Sequence, residues 1–126
     1  MQIESGRVYS YAEVLPIVYK NEIYMKINVT QQDNQIIIGL EGMLDSSSAA
    51  HFQDVVNETL ESATTPLNIV LDLSNLAYTS SQGIRTILTL MKTVMARQGK
   101  LIFRNIQPTV REVFDMSGIS QAMVIE

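Results

Sequence analysis

The chain predicts a single α/β domain with a mixed sheet, and three observations carry that prediction. Strand-like runs of apolar residues are interleaved with longer stretches whose apolar residues recur at helical spacing, the pattern of layered α/β packing. The first two strand-like runs are separated only by a polar turn and form a hairpin, whereas later ones are joined through helices and therefore run parallel. The chain has 126 residues, 46% hydrophobic and 17% charged, which is enough for one packed core and too little for two.

Residues 1–24 stand apart. They hold four of the five tyrosines, Tyr9, Tyr11, Tyr19 and Tyr24, with little periodicity, and they read as an N-terminal Tyr-rich extension or arm preceding a domain over 25–126. In that domain Ile27, Asn28 and Val29 pair with the run from Gln35 to Glu41 across the polar turn around Asp33 and Asn34. Asp45 to Ser48 offer capping oxygens just before Ala49, Phe52, Val55, Val56 and Leu60, which predicts a helix ending near Ser62. The run from Leu67 to Leu73 is almost continuously apolar, as in a central strand covered on both faces. Ser80 and Ser81 precede a longer helix with Ile84, Ile87, Leu88, Met91 and Met95 on one face, stopped by Gly99. Lys100 to Arg104 is a further strand. Pro108 opens a helix carrying Val110, Val113 and Phe114, Gly118 with Ile119 suits a left-handed stop, and Met123 to Ile125 form a last short strand.

Composition excludes several functions. With no cysteine and one histidine there is no disulfide framework, thiol nucleophile or Cys/His metal cluster, and no cofactor is expected. The six glycines are dispersed, so no phosphate-cradling loop forms. No apolar run approaches a membrane span and the first residues lack a signal-peptide layout, so a cytoplasmic protein without membrane contact is expected. Charge is uneven. Residues 27–83 contain seven acids and no Lys or Arg, while 84–111 contain Arg85, Lys92, Arg97, Lys100, Arg104 and Arg111 and no acid. That asymmetry can steer a charged partner, but the net charge of -4 and the sparse aromatics of the basic half argue against direct nucleic-acid binding.

The stretch from Leu71 to Arg85 most invites a functional reading. A strand leads through small polar residues to a helix start, where hydroxyls meet free backbone amides and Gly83 leaves the first turn unshielded. The plain role of Ser80 or Ser81 is to cap that helix. The functional one is a phosphorylation switch, since amides and dipole at a helix start favour a dianion and Arg85 lies one turn on. A serine hydrolase would need His51, the only histidine, as base, and the stretch from Thr79 to Gly83 lacks the first glycine of a nucleophile elbow.

These residues also resemble a known family. Asp72-Leu73-Ser74-Asn75-Leu76, with Tyr78, Ser80-Ser81-Gln82-Gly83-Ile84 and Ile87-Leu88, is similar to the signature of the STAS domain, named for sulphate transporters and anti-sigma factor antagonists. Leu40-Glu41-Gly42-Met43-Leu44-Asp45 and the stretch from Gly99 to Ile119 are similar to further parts of the same family, and the resemblance runs from about Met25 to Glu126. It implies a STAS-like mixed sheet and a non-enzymatic anti-sigma factor antagonist, which binds an anti-sigma factor/serine kinase when unphosphorylated and is reset by a serine phosphatase. Matched through Gly83, the family's phosphoacceptor falls on Ser81, with Ser80 as the alternative, and the partner surface on Asp45, Ser80, Ser81, Gln82, Gly83 and Arg85. Two positions depart from the family pattern: Ser80, where Asp is frequent, and Gln82, where a small residue is usual. A STAS scaffold without phosphorylation is the alternative reading; a small serine hydrolase ranks below both.

Overall fold

Asp33 takes a left-handed φ of 56°, a region Asp and Asn enter more readily than most side chains, and with Asn34 it turns the chain between two antiparallel strands. These are β2 (Met25–Gln32) and β3 (Gln35–Leu44), in which Val29 faces Ile38 and Ile27 faces Leu40. The computed structural model describes residues 17–21, 25–63 and 67–126. The expected arm over 1–24 thus lies outside the described residues except for 17–21, whose backbone forms β1 (Ile17–Asn21), antiparallel to β2.

From β3 onward every strand is reached through a helix. α1 (Ala49–Ser62) leads to β4 (Asn68–Thr79), α2 (Ser81–Ala96) to β5 (Lys100–Arg104), and α3 (Pro108–Ser117) with a 3-10 turn (Ile119–Ala122) to β6 (Val124–Ile125). The three junctions from β3 to β6 are parallel, and the six-stranded sheet runs in sequence order. The mixed α/β architecture expected from the sequence is therefore the observed one.

Register and alternation place Val29, Ile38, Leu71 and Phe103 in one row on one face. The helices deliver Phe52, Val56, Ile87, Leu90 and Phe114 to the same core, where the Phe103 and Phe114 rings meet edge to face at 6.3 Å. Truncating either ring to Ala would cost about 3–5 kcal/mol. Arg97, just past α2, donates to the Leu60 and Ala63 carbonyls, each at 2.8 Å, and so ties down the end of α1, where the Leu60 carbonyl also accepts from the Ala63 amide. Gly118 ends α3 at φ 82°, and Ile119 is buried beside it, as the sequence pattern predicts.

Two boundaries differ from expectation. β4 does not stop at Leu73 but continues to Thr79, because Leu76, Tyr78 and Thr79 find register partners in Gly42, Met43 and Leu44, with register shifts that accommodate the extra length. Leu76 and Thr79 are buried along that extension. Asp45 does not cap α1 directly either. The cap residue is Ser48, in a near-helical conformation with no side-chain cap bond, and Asp45 acts one turn earlier.

Candidate functional site at the start of the second helix

The site is assembled where β3 and β4 end. Leu44 and Thr79 are register partners, and the Ser80 amide donates to the Leu44 carbonyl at 2.9 Å. Asp45 and Ser80 therefore leave adjacent parallel strands side by side, at a strand spacing of about 5 Å. This is the carboxyl edge of the parallel part of the sheet, where α/β folds commonly place their ligands.

Gly83 lets α2 sit on that edge. A Cβ there would collide with Thr79 Oγ1 and stand 2.5 Å from the Leu44 carbonyl oxygen and 2.9 Å from Leu44 Cγ. Gly83 is itself buried, so its part in the site is to admit the close approach.

The three neighbouring hydroxyls separate by role. Thr79 is buried. Ser80, extended at φ -99° and ψ 176°, is the N-cap of α2, and its Oγ accepts from the Gly83 amide at 3.3 Å. Ser81 is the first helical residue and is exposed. Gln82 and Arg85 are also exposed, and the first turn of α2 contains no acid. With the Gly83 amide engaged by the cap, the amides of Ser81 and Gln82 belong to the helix-start group that has no intrahelical acceptor.

Asp45 organises the facing turn. Its Oδ1 accepts from the Ser47 amide at 2.9 Å and from the Ser47 hydroxyl at 2.6 Å, and its own amide donates to Ser48 Oγ at 3.0 Å. Buried Ser48 is satisfied in turn by donating to the Met43 carbonyl at 2.7 Å. The Ser47 hydroxyl bond, aided by the backbone bonds and only partly opposed by desolvation, holds the Asp45 carboxyl below its ordinary pKa.

Small residues at the start of α1 open a cleft of about 400 Å³ between the two helices, with Ser46, Ala49 and Gln53 on one wall and Gln82, Arg85 and Thr86 on the other. The structure thus brings Ser46 of the Asp45 turn, Gln82 and Arg85 to one surface; Ser81, exposed one residue before Gln82, does not line the cleft itself, and Gly83 is buried. His51 does not line this cleft, and its Nε2 is buried without a hydrogen-bond partner among the described residues. Among the described residues no three His, Asp or Glu side chains gather as a metal would require, and no described helix is long and apolar enough to cross a membrane.

The STAS domain profile matches residues 26–126, and the chain belongs to that family. The candidate anti-sigma factor antagonist BtrV of Bordetella bronchiseptica is 33% identical over 94 residues, 75% of this chain and 79% of that protein. Among solved structures, the anti-sigma factor antagonist SpoIIAA in its unphosphorylated form superposes with a TM-score of 0.66 at 25% identity, covering 79% of this chain and 87% of that one. The phosphorylated form of SpoIIAA, from Bacillus, superposes at 0.60 and 23% identity, over 79% of this chain and 90% of that one.

Two features of the site escaped the sequence. Tyr78, which the sequence marks only as part of the family signature and not as a site residue, is 48% exposed and pairs in register with Met43 two residues before the cap. The continuation of β4 to Thr79 is what fixes it there, and the polar run around it masked that strand. The cleft was missed as well, although the run from Ser46 to Ala50, all small side chains, was its signal.

Proposed function

We propose that the chain is an anti-sigma factor antagonist of a partner-switching circuit. Unphosphorylated, it binds an anti-sigma factor that carries serine kinase activity and so frees a sigma factor. Phosphate on Ser81 breaks that contact, and a serine phosphatase restores it. Asp45, Gln82 and Arg85 belong to the contact surface, while Ser80 and Gly83 shape it.

The observation that carries this reading is the division of labour between two adjacent serines: Ser80 is spent on the cap and Ser81 is exposed at the head of α2. A dianion on Ser81 meets free amides and the positive end of the helix, worth about 0.3–1 kcal/mol within the fold, while like-charge juxtaposition across an interface costs several kcal/mol. The interface effect is the larger, so the modification acts on binding and leaves the domain folded. That a relative of similar fold has been solved both with and without phosphate is consistent with such a switch.

The test uses the anti-sigma kinase with ATP, phosphate location by mass spectrometry, and binding measurements. Ser81→Ala abolishes modification and keeps binding, Ser80→Ala is still modified, and Ser81→Asp binds at least about tenfold more weakly, 1.4 kcal/mol or more. Phosphate persisting on Ser81→Ala would move the acceptor elsewhere. Equal affinity of the Ala and Asp variants would favour an unphosphorylated scaffold.

A further inference from the structure

The cleft between α1 and α2 is lined by a single charge, and that charge has no ionic partner among the described residues. Of the lining side chains only Arg85 is charged; the wall that precedes and opens α1, with Ser46, Ala49, Ala50 and Gln53, is neutral. α2 holds two cations, Arg85 and Lys92, and no acid, so the helix offers neither of them an internal pair. The side-chain ion pairs among the described residues are those of Arg104 with Glu126 and Arg111 with Asp115. Asp45, the acid of the facing turn, is committed to the Ser47 amide and hydroxyl and makes no ion pair with Arg85.

The remaining polar groups decide what kind of ligand fits. Thr86 and Thr89 donate their hydroxyl protons back to the Gln82 and Arg85 carbonyls, at 3.2 and 3.1 Å, so those hydroxyls are spent as donors. The donors left over are the Arg85 guanidinium, the Gln82 carboxamide, the Ser46 hydroxyl and the second amide hydrogen of Gln53, whose first goes to Asn57 at 2.9 Å. Donors grouped around one cation suit an anion that only accepts, and the fork of a guanidinium matches a carboxylate in a bidentate pair. Ala49 and Ala50 leave room for the methylene stem of an acidic side chain. Gln82 and Arg85 are exposed, so a docking protein can deliver that side chain from outside.

The same guanidinium can serve a second anion. Ser81 and Arg85 stand four residues apart on α2, which makes their side chains neighbours on one face. Helical side chains lean toward the helix N-terminus, so Arg85 leans toward the turn that holds Ser81. An anion N-terminal to a cation at this spacing is also the favourable order.

We infer that Arg85 is a shared cation: it holds an Asp or Glu side chain of the anti-sigma factor in the cleft while Ser81 is unmodified, and it turns to the Ser81 phosphate once that is added. The inference rests on the antagonist reading above and names the chemistry its partner must present. Phosphate then acts twice, by withdrawing the cation that the partner's carboxylate needs and by repelling that carboxylate.

Two measurements on the full chain test it. In the first, the unphosphorylated protein is titrated with the anti-sigma kinase and ADP, so that no phosphate is transferred. Arg85→Gln is expected to weaken binding at least about tenfold, while Lys92→Gln, at an exposed cation of the same helix outside the cleft, changes it less than about twofold. Arg85→Glu weakens binding further, and reversing one acid of the kinase to Arg restores at least about tenfold of the loss. In the second, phosphoserine is placed at position 81 by genetic encoding and its second ionisation is followed by phosphorus NMR. That pKa, about 6 for the free group, is expected to lie about half a unit or more higher in Arg85→Gln than in the parent, because the guanidinium favours the dianion. Equal losses from Arg85→Gln and Lys92→Gln would mean general steering in place of a seated pair and overturn the inference. A phosphoserine pKa that ignores Arg85, or a loss in Arg85→Glu that no acid reversal restores, overturns it as well. Undiminished binding of Arg85→Gln overturns it and leaves the antagonist reading standing, whereas a parent chain that does not bind the kinase overturns both.

Discussion

Adjacent serines with different fates make the residue scale testable without any partner. Ser80 Oγ satisfies the Gly83 amide, so Ser80→Ala should lower stability by about 1 kcal/mol in urea unfolding. Ser81 is exposed and does not supply the cap, so Ser81→Ala should stay within about 0.5 kcal/mol of the parent. The reverse order would show that the helix starts one residue later. Asp45 adds a pH signature. Its carboxyl is held below the ordinary value, chiefly by the Ser47 hydroxyl, so the folded state binds a proton less readily than the unfolded one. The stabilisation is present above the unfolded pKa, about 4, and disappears as pH falls through the lower folded pKa. Asp45→Asn keeps an acceptor for the Ser47 and Ser48 donors and removes the titration. Between pH 5 and 3, on the order of the carboxylate range, its melting temperature should fall less steeply than the parent's. Parallel pH profiles would assign the acid sensitivity to other groups such as Asp115, whose carboxyl is also lowered, by Ser120 and Arg111.

At the scale of elements, Gly83 sets two effects against each other. In a solvent-facing helix, alanine would be favoured over glycine by about 1 kcal/mol. Here the added Cβ meets Thr79, the Leu44 side chain and the same Leu44 carbonyl that accepts from Ser80, and overpacking of that kind costs about 1–3 kcal/mol. The collision should win. Gly83→Ala is expected to be destabilised in urea and to weaken partner binding together, whereas a gain in stability would mean that α2 lifts off the strand ends without penalty. How far the sequence discloses such elements depends on the physical signal each one leaves. α2, α3 and β5 have strong apolar periodicity and clear stops, and the structure has them almost where the pattern puts them. The end of β4 has no such signal, since Ser74, Asn75 and Ala77 are exposed, and what holds them is non-local: Asn75 pairs with Glu41 of β3, while Gln107 and Thr109 donate to the Ser74 and Ala77 carbonyls. β1 lies within a tyrosine-rich run without alternation, and its strand form is written in the β2 edge it pairs with. At the site, sequence located the hydroxyl pair; deciding which of them caps required the backbone angles of Ser80 and the position of Gly83.

For the whole molecule, the question is whether residues 25–126 carry the cooperative fold. The core joins Met25, Ile27 and Val29 of β2 to Phe52 of α1, Ile87 of α2 and Phe114 of α3 in one cluster, and the family match begins at residue 26. A single core shared by every described helix and by the sheet unfolds as one unit in a domain of this size. Removing residues 1–24 takes away the β1 pairing and bares the β2 edge, but it deletes none of the described residues of that cluster. The truncated chain should therefore melt in one transition with calorimetric and van't Hoff enthalpies in agreement, at a temperature below that of the full chain. Its exposed β2 edge should show itself separately, as association that grows with concentration, because an unpaired strand edge is a template for another chain. If the enthalpies disagree, or no transition remains, the N-terminal segment belongs to the cooperative core and the domain boundary near Met25 is wrong. If the truncated chain melts at the same temperature as the full one, pairing of β1 with the β2 edge adds nothing measurable to the stability of the fold.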